Sequence, residues 1–471
     1  MLSTSAMAEQ RHYAKPLVAL ALTATAFAFQ ETAILPALPH IQDTLSASKS
    51  SIALLESAFL VVASMAAPLI GRLGDRYGKR RLMLITMGIY LVGAVGAALS
   101  PVLPALIAFR GLQGVGGAVF GLSFAVMRDV AGQRRLGIVI GVIVGAFGTG
   151  MAIAFALSGP LVSAASWHWI FWTGAILVVL ASGLIYALVP DAGSRQGRRI
   201  DVLGALLLGG APSALVIALS VAPELGWISW PELVLVGVAI AFAVLWIERE
   251  RHTDDPLIDL ETIAKPTVLL PNLGSFLAGW AAFSLLFLIP RFVQAPAELS
   301  LGYGFDASDR ATGFYLVPFA LGIVIGGPTG GFVGRAWSGK WPFTIGLALL
   351  GVACGLTALV HETRWLVLAW LLVAGIGFGA SIGAAGTFVT ESVDASRTGV
   401  ATTFNSVARL IGGGIGSELA AGILAAHLAG VGDRATETGF VICFWIAAGV
   451  ALLGAALALL VPRADAGTEP G

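Results

Sequence analysis

Gly71-Arg72-Leu73-Gly74-Asp75-Arg76-Tyr77-Gly78-Lys79-Arg80-Arg81 lies between two long apolar runs, and its reading decides the fold. Five of the chain's 27 Lys and Arg fall inside it. Lys and Arg in short loops stay cytoplasmic, so a cluster this dense at the mouths of two membrane helices fixes the side on which the turn lies. Around it, 57% of the 471 residues are hydrophobic and only 11% charged, against roughly a quarter charged in a soluble domain. That composition argues against a soluble fold. Basic and acidic residues balance at 27 each, which gives nucleic acid no electrostatic footprint. Cys354 and Cys443 both sit in apolar runs and read as small hydrophobes, not as a disulfide framework.

A helix needs about 20 apolar residues to cross a bilayer. Fourteen segments meet that requirement: 14 to 37, 51 to 70, 82 to 100, 103 to 127, 136 to 160, 168 to 190, 202 to 221, 231 to 248, 267 to 290, 312 to 334, 342 to 361, 364 to 388, 397 to 427 and 437 to 462. The first has the basic and then apolar opening of a secretory signal, but it runs on to Pro36 and joins a polytopic chain, so it is kept as helix one. The segments 202 to 221 and 231 to 248 read either as two spans or as one re-entrant hairpin; both are nearly free of charge and are joined by a tryptophan-bearing turn. With both termini cytoplasmic, twenty Lys and Arg fall inside, five fall outside, and Arg110 and Arg409 lie within helices. This bias supports the orientation and the even number of spans. The expected organisation is residues 1–190 as one six-helix bundle, 191–265 as a linker with two additional spans, 266–462 as a second six-helix bundle, and 463–471 as a short cytoplasmic tail.

The spacing of Gly71, Asp75, Arg76, Gly78, Lys79 and Arg80, set between the second and third spans, resembles the loop signature of the major facilitator superfamily. Arg110-Gly111-Leu112-Gln113-Gly114 is similar to the family's arginine motif on helix four, and Gly159-Pro160 to the motif that distinguishes exporters from importers. Ser163 and Ala164 stand where that motif usually has glycines, and His168 stands where an arginine is usual. Residues 199–207 and 255–260 resemble segments that flank the extra helix pair of the fourteen-helix drug:proton antiporters. The resemblance implies an all-α integral membrane protein with the major facilitator fold, two six-helix bundles plus two extra central helices. It also implies that the basic turn latches the outward-facing state. One departure stands out: Gln30 occupies the place of the family's helix-one acid, and Glu31 follows it.

At about 1.5 Å per residue, Glu31, Glu56 and Arg110 share one layer, roughly 8 to 10 Å below the outer boundary. Glu31 is expected to face Arg110, with Glu56 as a second acid or a structural partner; the alternative for Glu31 is an outer-rim residue in water. An intramembrane guanidinium calls for an acid or polar partner, or else pins helices through backbone carbonyls. Desolvation favours a protonated carboxyl and a neighbouring guanidinium favours the ionised form, so access to water or substrate tips the balance. Gln30, Gln113 and Arg409 are the cavity candidates, and Arg409 either binds an anionic group or caps a polar network. Asp129 is placed to meet Arg76, Lys79 or Arg80 and, with Asp75, to form a cytoplasmic charge cluster. Gly375, Gly379 and Gly383 give helix twelve a small-residue packing face.

The expected function is proton-coupled export of small amphipathic or hydrophobic molecules from the cell membrane by alternating access. A dedicated metabolite or lipid exporter is the alternative on the same fold, and a membrane-embedded enzyme or a channel the alternative from another class. Small-molecule substrate, protons and the lipid bilayer are the expected partners of a monomeric protein. No cofactor, metal or nucleic acid is expected, and the proton gradient is the energy source.

Overall fold

Backbone N–H and C=O groups in a bilayer find partners only within their own helix. Among its described residues, the computed structural model of this chain is accordingly helical, with one isolated bridge between Leu428 and Ala435. It describes residues 4–47, 49–132, 135–191, 201–226, 228–253, 260–296, 302–336, 339–391, 398–429 and 434–462. Among these, fourteen helical segments are long and apolar enough to cross a membrane.

The first bundle contains α1 (Thr4–Thr32), α2 (Leu38–Thr44), α3 (Lys49–Tyr77), α4 (Lys79–Ala98), α5 (Leu103–Gly114), α6 (Gly117–Ala131), α7 (Leu136–Ala164) and α8 (His168–Leu188). α1 continues through a 3-10 turn, Leu35–Ala37, into the short α2, while α5 and α6 are two parts of one span. The extra pair is α9 (Val202–Leu225) and α10 (Trp230–His252). A short α11 (Leu260–Ala264) leads to the second bundle: α12 (Pro266–Val293), α13 (Asp309–Ala336), α14 (Lys340–Leu359), α15 (Arg364–Glu391), α16 (Thr398–Ala426) and α17 (Glu437–Ala458).

Several boundaries differ from the sequence expectation. The basic stretch is mostly helix: α3 runs on through Tyr77, and α4 begins at Lys79. Gly78 alone makes the break, at φ 101°, a conformation that glycine adopts without a Cβ penalty. Asp75 therefore lies in the last turn of α3. Spans one and four are each interrupted, after Thr32 and after Gly114. α7 carries Pro160 inside it and runs on to Ala164, because a proline removes one bond and bends a helix without having to end it.

Two seams join the bundles, α7 against α13 and α3 against α16. The first depends on glycine. A Cβ on Gly331 would lie 2.0 Å from the carbonyl oxygen of Gly137, and one on Gly141 would lie 2.8 Å from Cα of Pro328. Further along, Phe155 and Gly313 meet, and Arg310 Nε donates to Ser163 Oγ at 2.7 Å. Within the second bundle, Gly375, Gly379 and Gly383 of α15 pack against Phe319, Ile323 and Gly327 of α13. This is close helix packing of the small-residue kind.

α9 leans on both α3 and α16 and so covers the second seam, while α10 packs on α9. The pair is clamped at the basic-turn face. Asp201 caps α9 by accepting from Gly204 N at 2.9 Å, and Arg249 Nε donates to its two oxygens at 2.9 and 3.0 Å. Burial pushes the Asp201 carboxyl up, but Arg249, the Gly204 amide and the charge of Arg72 outweigh it and hold the group below its ordinary range. Arg72 lies within the basic stretch, so the added helices are tied electrostatically to it.

Gly331→Ala is expected to cost about 1 to 3 kcal/mol by forcing α7 and α13 apart. Gly183, where an added Cβ would meet nothing within 4 Å, serves as the control, since Ala there adds helix propensity without a clash. Thermal unfolding of the two variants in detergent checks this; equal midpoints would contradict the account of the seam.

Candidate functional site

A helix leaves its last four carbonyls without internal partners. α1 ends at Thr32, so the carbonyls of Gln30 and Glu31 belong to that group. Arg110 Nη1 donates to Gln30 O at 3.0 Å, and Nη2 donates to Glu31 O at 3.1 Å. Nη1 also donates to Gln113 Oε1 at 2.9 Å, and the guanidinium lies 4.5 Å over the ring of Phe59. A fixed positive charge thus caps the negative end of the α1 dipole. The planar guanidinium fork spans two adjacent carbonyls, which the single ammonium of lysine cannot reproduce.

Glu31 is 3% exposed, its side chain buried within the protein. Its backbone contact with Arg110 places it beside that guanidinium, and the fully buried Tyr90 of α4 packs against Phe27, one turn earlier on α1, and against Gly116. Gln30 packs its amide against Gly174 of α8, and neither polar atom of that amide has a hydrogen-bond partner among the described residues. Glu56 belongs to α3, and its side chain lies outside the described residues. The break between α5 and α6 adjoins this layer. Gly114 presses on the carbonyl of Phe59, where a Cβ would come within 2.3 Å, and the chain then tightens through the bonds Val115 N to Leu112 O and Gly116 N to Gln113 O. Two interrupted spans therefore meet at Arg110, the arrangement by which membrane carriers expose polar backbone to a central site.

In the second bundle, Arg409 of α16 is 3% exposed. One turn earlier, Asn405 Nδ2 donates to Asn272 Oδ1 at 3.0 Å and to Ser275 Oγ at 2.9 Å, both on α12. Neither this buried amide cluster nor Tyr90 is among the residues that the sequence reading singles out. The four-residue spacing of Asn405 and Arg409 on one helix face is the available signal.

At the basic-turn face, Lys79 Nζ donates to Asp129 Oδ2 at 2.7 Å and lies 4.0 Å from Asp75 Oδ1. Arg76 stacks on Tyr77 at 5.1 Å. Arg80 donates to the Tyr186 carbonyl of α8 and covers that residue's ring. Gly71 is buried within α3, while Gly74 seats that helix on Leu122 of α6. The contacts of Lys79 and Arg80 thus join helices of the first bundle. Bonds that cross to the second bundle come from the neighbouring α6, where Arg128 Nη1 donates to Thr390 O at 2.6 Å and Gly121 O accepts from Thr402 Oγ1 at 3.1 Å. Through Asp129, Lys79 ties α4 to the end of α6, the helix that carries Arg128. Beside Gly159 and Pro160, Ser158 Oγ donates to Ala33 O at 2.7 Å, tying α7 to the segment just past the α1 break.

Residues 20–417 match the Major Facilitator Superfamily. The chain belongs to that superfamily. Its members are transporters, not enzymes, and this one is a multi-pass membrane protein. It is 28% identical over 86% of its length to an uncharacterised MFS-type transporter, YvkA, of Bacillus subtilis, covering 89% of that protein. It is 27% identical over 83% of its length to the multidrug resistance protein Stp of Mycobacterium tuberculosis, covering 72% of it. The crystal structure of the human organic anion transporter MFSD10 superposes over 96% of this chain and 99% of that one with a TM-score of 0.64, at 17% identity, a likeness of fold.

Lys79 and Asp129 are both largely buried, at 7% and 18% side-chain exposure. Removing one charge leaves the other poorly solvated, whereas removing both does not. Lys79→Met and Asp129→Asn are each expected to destabilise, and the double variant to lose less than their sum, with a coupling of about 1 to 3 kcal/mol. A double-mutant cycle on unfolding in detergent measures this; strictly additive losses would contradict the pairing.

Proposed function

We propose that this member of the superfamily is a proton-coupled exporter of small amphipathic or hydrophobic molecules, set in the cell membrane with the basic turn and both termini cytoplasmic. The observation that carries the reading is Glu31, an acid 3% exposed at the interruption of α1. Intramembrane acids are expensive and mark ion and proton pathways. Glu31 takes up a proton from outside as substrate leaves, the bundles rock inward, the proton is released to the cytoplasm as substrate binds, and the loaded carrier returns to face outward. The multidrug name of the Mycobacterium relative supports a broad substrate range. The weight of Lys and Arg on one face supports the orientation. Asp75, Lys79 and Asp129 brace the cytoplasmic ends in the shut state, and Arg128 fastens them to the opposite bundle.

Everted vesicles screened with a panel of fluorescent dyes and antibiotics test the reading. Accumulation is expected to need a proton gradient, to collapse with a protonophore, and to fall in Glu31→Gln to the protonophore level. Gradient-driven uptake of the same pH dependence in Glu31→Gln would overturn it, and transport of a single compound would mark a dedicated exporter.

A further inference from the structure

Arg110 and Glu31 belong to the same bundle, so rocking of one bundle against the other carries them together. Their spacing cannot report which way the protein faces. Arg409 stands in the other bundle. Its backbone is seated on α12, where a Cβ on Gly279 would lie 1.9 Å from the Arg409 carbonyl oxygen. Asn405 fastens the preceding turn to the same helix.

The side chain nevertheless crosses the seam. Its guanidinium carbon lies 5.8 Å from the ring centre of Phe120 on α6 and 5.7 Å from that of Phe147 on α7. Phe147 is in turn 6.2 Å from Phe27, one helical turn before Glu31 on α1. Two rings, Phe147 and Phe27, thus link the Arg409 guanidinium to the turn of α1 that carries Glu31. Nη1 of Arg409 has no hydrogen-bond partner among the described residues. The guanidinium lies over ring faces, so that nitrogen breaks no hydrogen bond when it withdraws.

The other charged or titratable groups around Glu31 move with it. Arg110 comes from α5 and Tyr90 from α4. α6 has Arg128 and Asp129 at its basic-turn end, α7 has no charged residue, and His168 of α8 stacks on Trp167. Glu56 of α3 also belongs to this bundle, its side chain outside the described residues.

We infer that Arg409 is the positioning residue that makes the proton affinity of Glu31 depend on the direction in which the transporter faces. The bundles are bridged at both faces, by Arg128 and Thr390 and by Arg310 and Ser163; with Arg409 across the seam the carboxylate stays ionised, and when the outer face opens and Arg409 withdraws with its own bundle, the carboxylate accepts a proton from external water. This rests on the reading of Glu31 as the coupling acid. Charge interaction falls with distance and is strong where water is excluded, so a cross-seam cation converts rocking into proton release.

The test is infrared titration of the full-length purified protein, following the protonated-carboxyl band that disappears in Glu31→Gln. Arg409→Gln is expected to move the midpoint of that band to higher pH by about one unit or more, and Arg409→Lys, which keeps the charge, to restore it towards wild type. If Arg409→Gln leaves the midpoint unchanged while Glu31→Gln removes the band, the inference about Arg409 falls alone. An equal shift in Arg409→Lys and Arg409→Gln would also overturn it, assigning the effect to packing. If the band persists in Glu31→Gln, Glu31 is not the titrating acid and the coupling reading falls with it.

Discussion

The carbonyls of Gln30 and Glu31 end a helix in the middle of an apolar chain, and Arg110 supplies the hydrogens they need. The constraint works in both directions. An intramembrane guanidinium cannot shed its charge and is costly without acceptors, while a helix that stops at depth leaves carbonyls that water does not reach. Each defect removes the other. Their meeting fixes where α1 stops, how α5 is rotated, and where the Glu31 side chain departs from the backbone. Phe59 under the guanidinium and the close approach of Gly114 to the Phe59 carbonyl add α3 to the same arrangement.

Around this point the bundles meet in close helix packing. At the α7–α13 seam, backbone meets backbone through Gly137 and Gly331, and Val144, Ile323 and Pro328 pack against the facing glycines Gly327, Gly148 and Gly145. Among the described residues, the bonds that cross at the basic-turn face include Arg128 to Thr390 and Thr402 to Gly121. Closely packed seams crossed by breakable bonds suit two stable arrangements better than a continuum. α9, laid against α3 and α16 and clamped through Asp201 and Arg249, broadens the second seam and links it to the charge near Arg72.

Span number and family are legible in the sequence because bilayer thickness imposes a length and the basic stretch has specific spacing. The ends of helices are less legible. Nothing between Gly71 and Tyr77 breaks a helix, so α3 runs on past the last apolar residue until Gly78, a boundary that hydropathy does not mark. The interruption after Thr32 is hidden for a different reason: it depends on a donor from residue 110, and a break stabilised by a distant side chain leaves no local sign beyond Pro36. Glu31 and Arg110 are identifiable as rare intramembrane charges, yet the contact is made through the backbone carbonyl of Glu31. Tyr90 escapes a sequence reading because a single tyrosine in an apolar run looks interfacial. Asn405 escapes it because its partners, Asn272 and Ser275, are distant in sequence.

Hydrogen–deuterium exchange over Gln30 to Ala37 tests the Arg110 cap most directly. Arg110→Lys keeps the charge but loses the fork that spans both carbonyls. Exchange in this segment is predicted to quicken by about tenfold or more, the equivalent of losing one charge-assisted hydrogen bond, while the α7–α13 seam stays protected. Unchanged exchange from Gln30 to Ala37 in a folded Arg110→Lys protein would contradict the account.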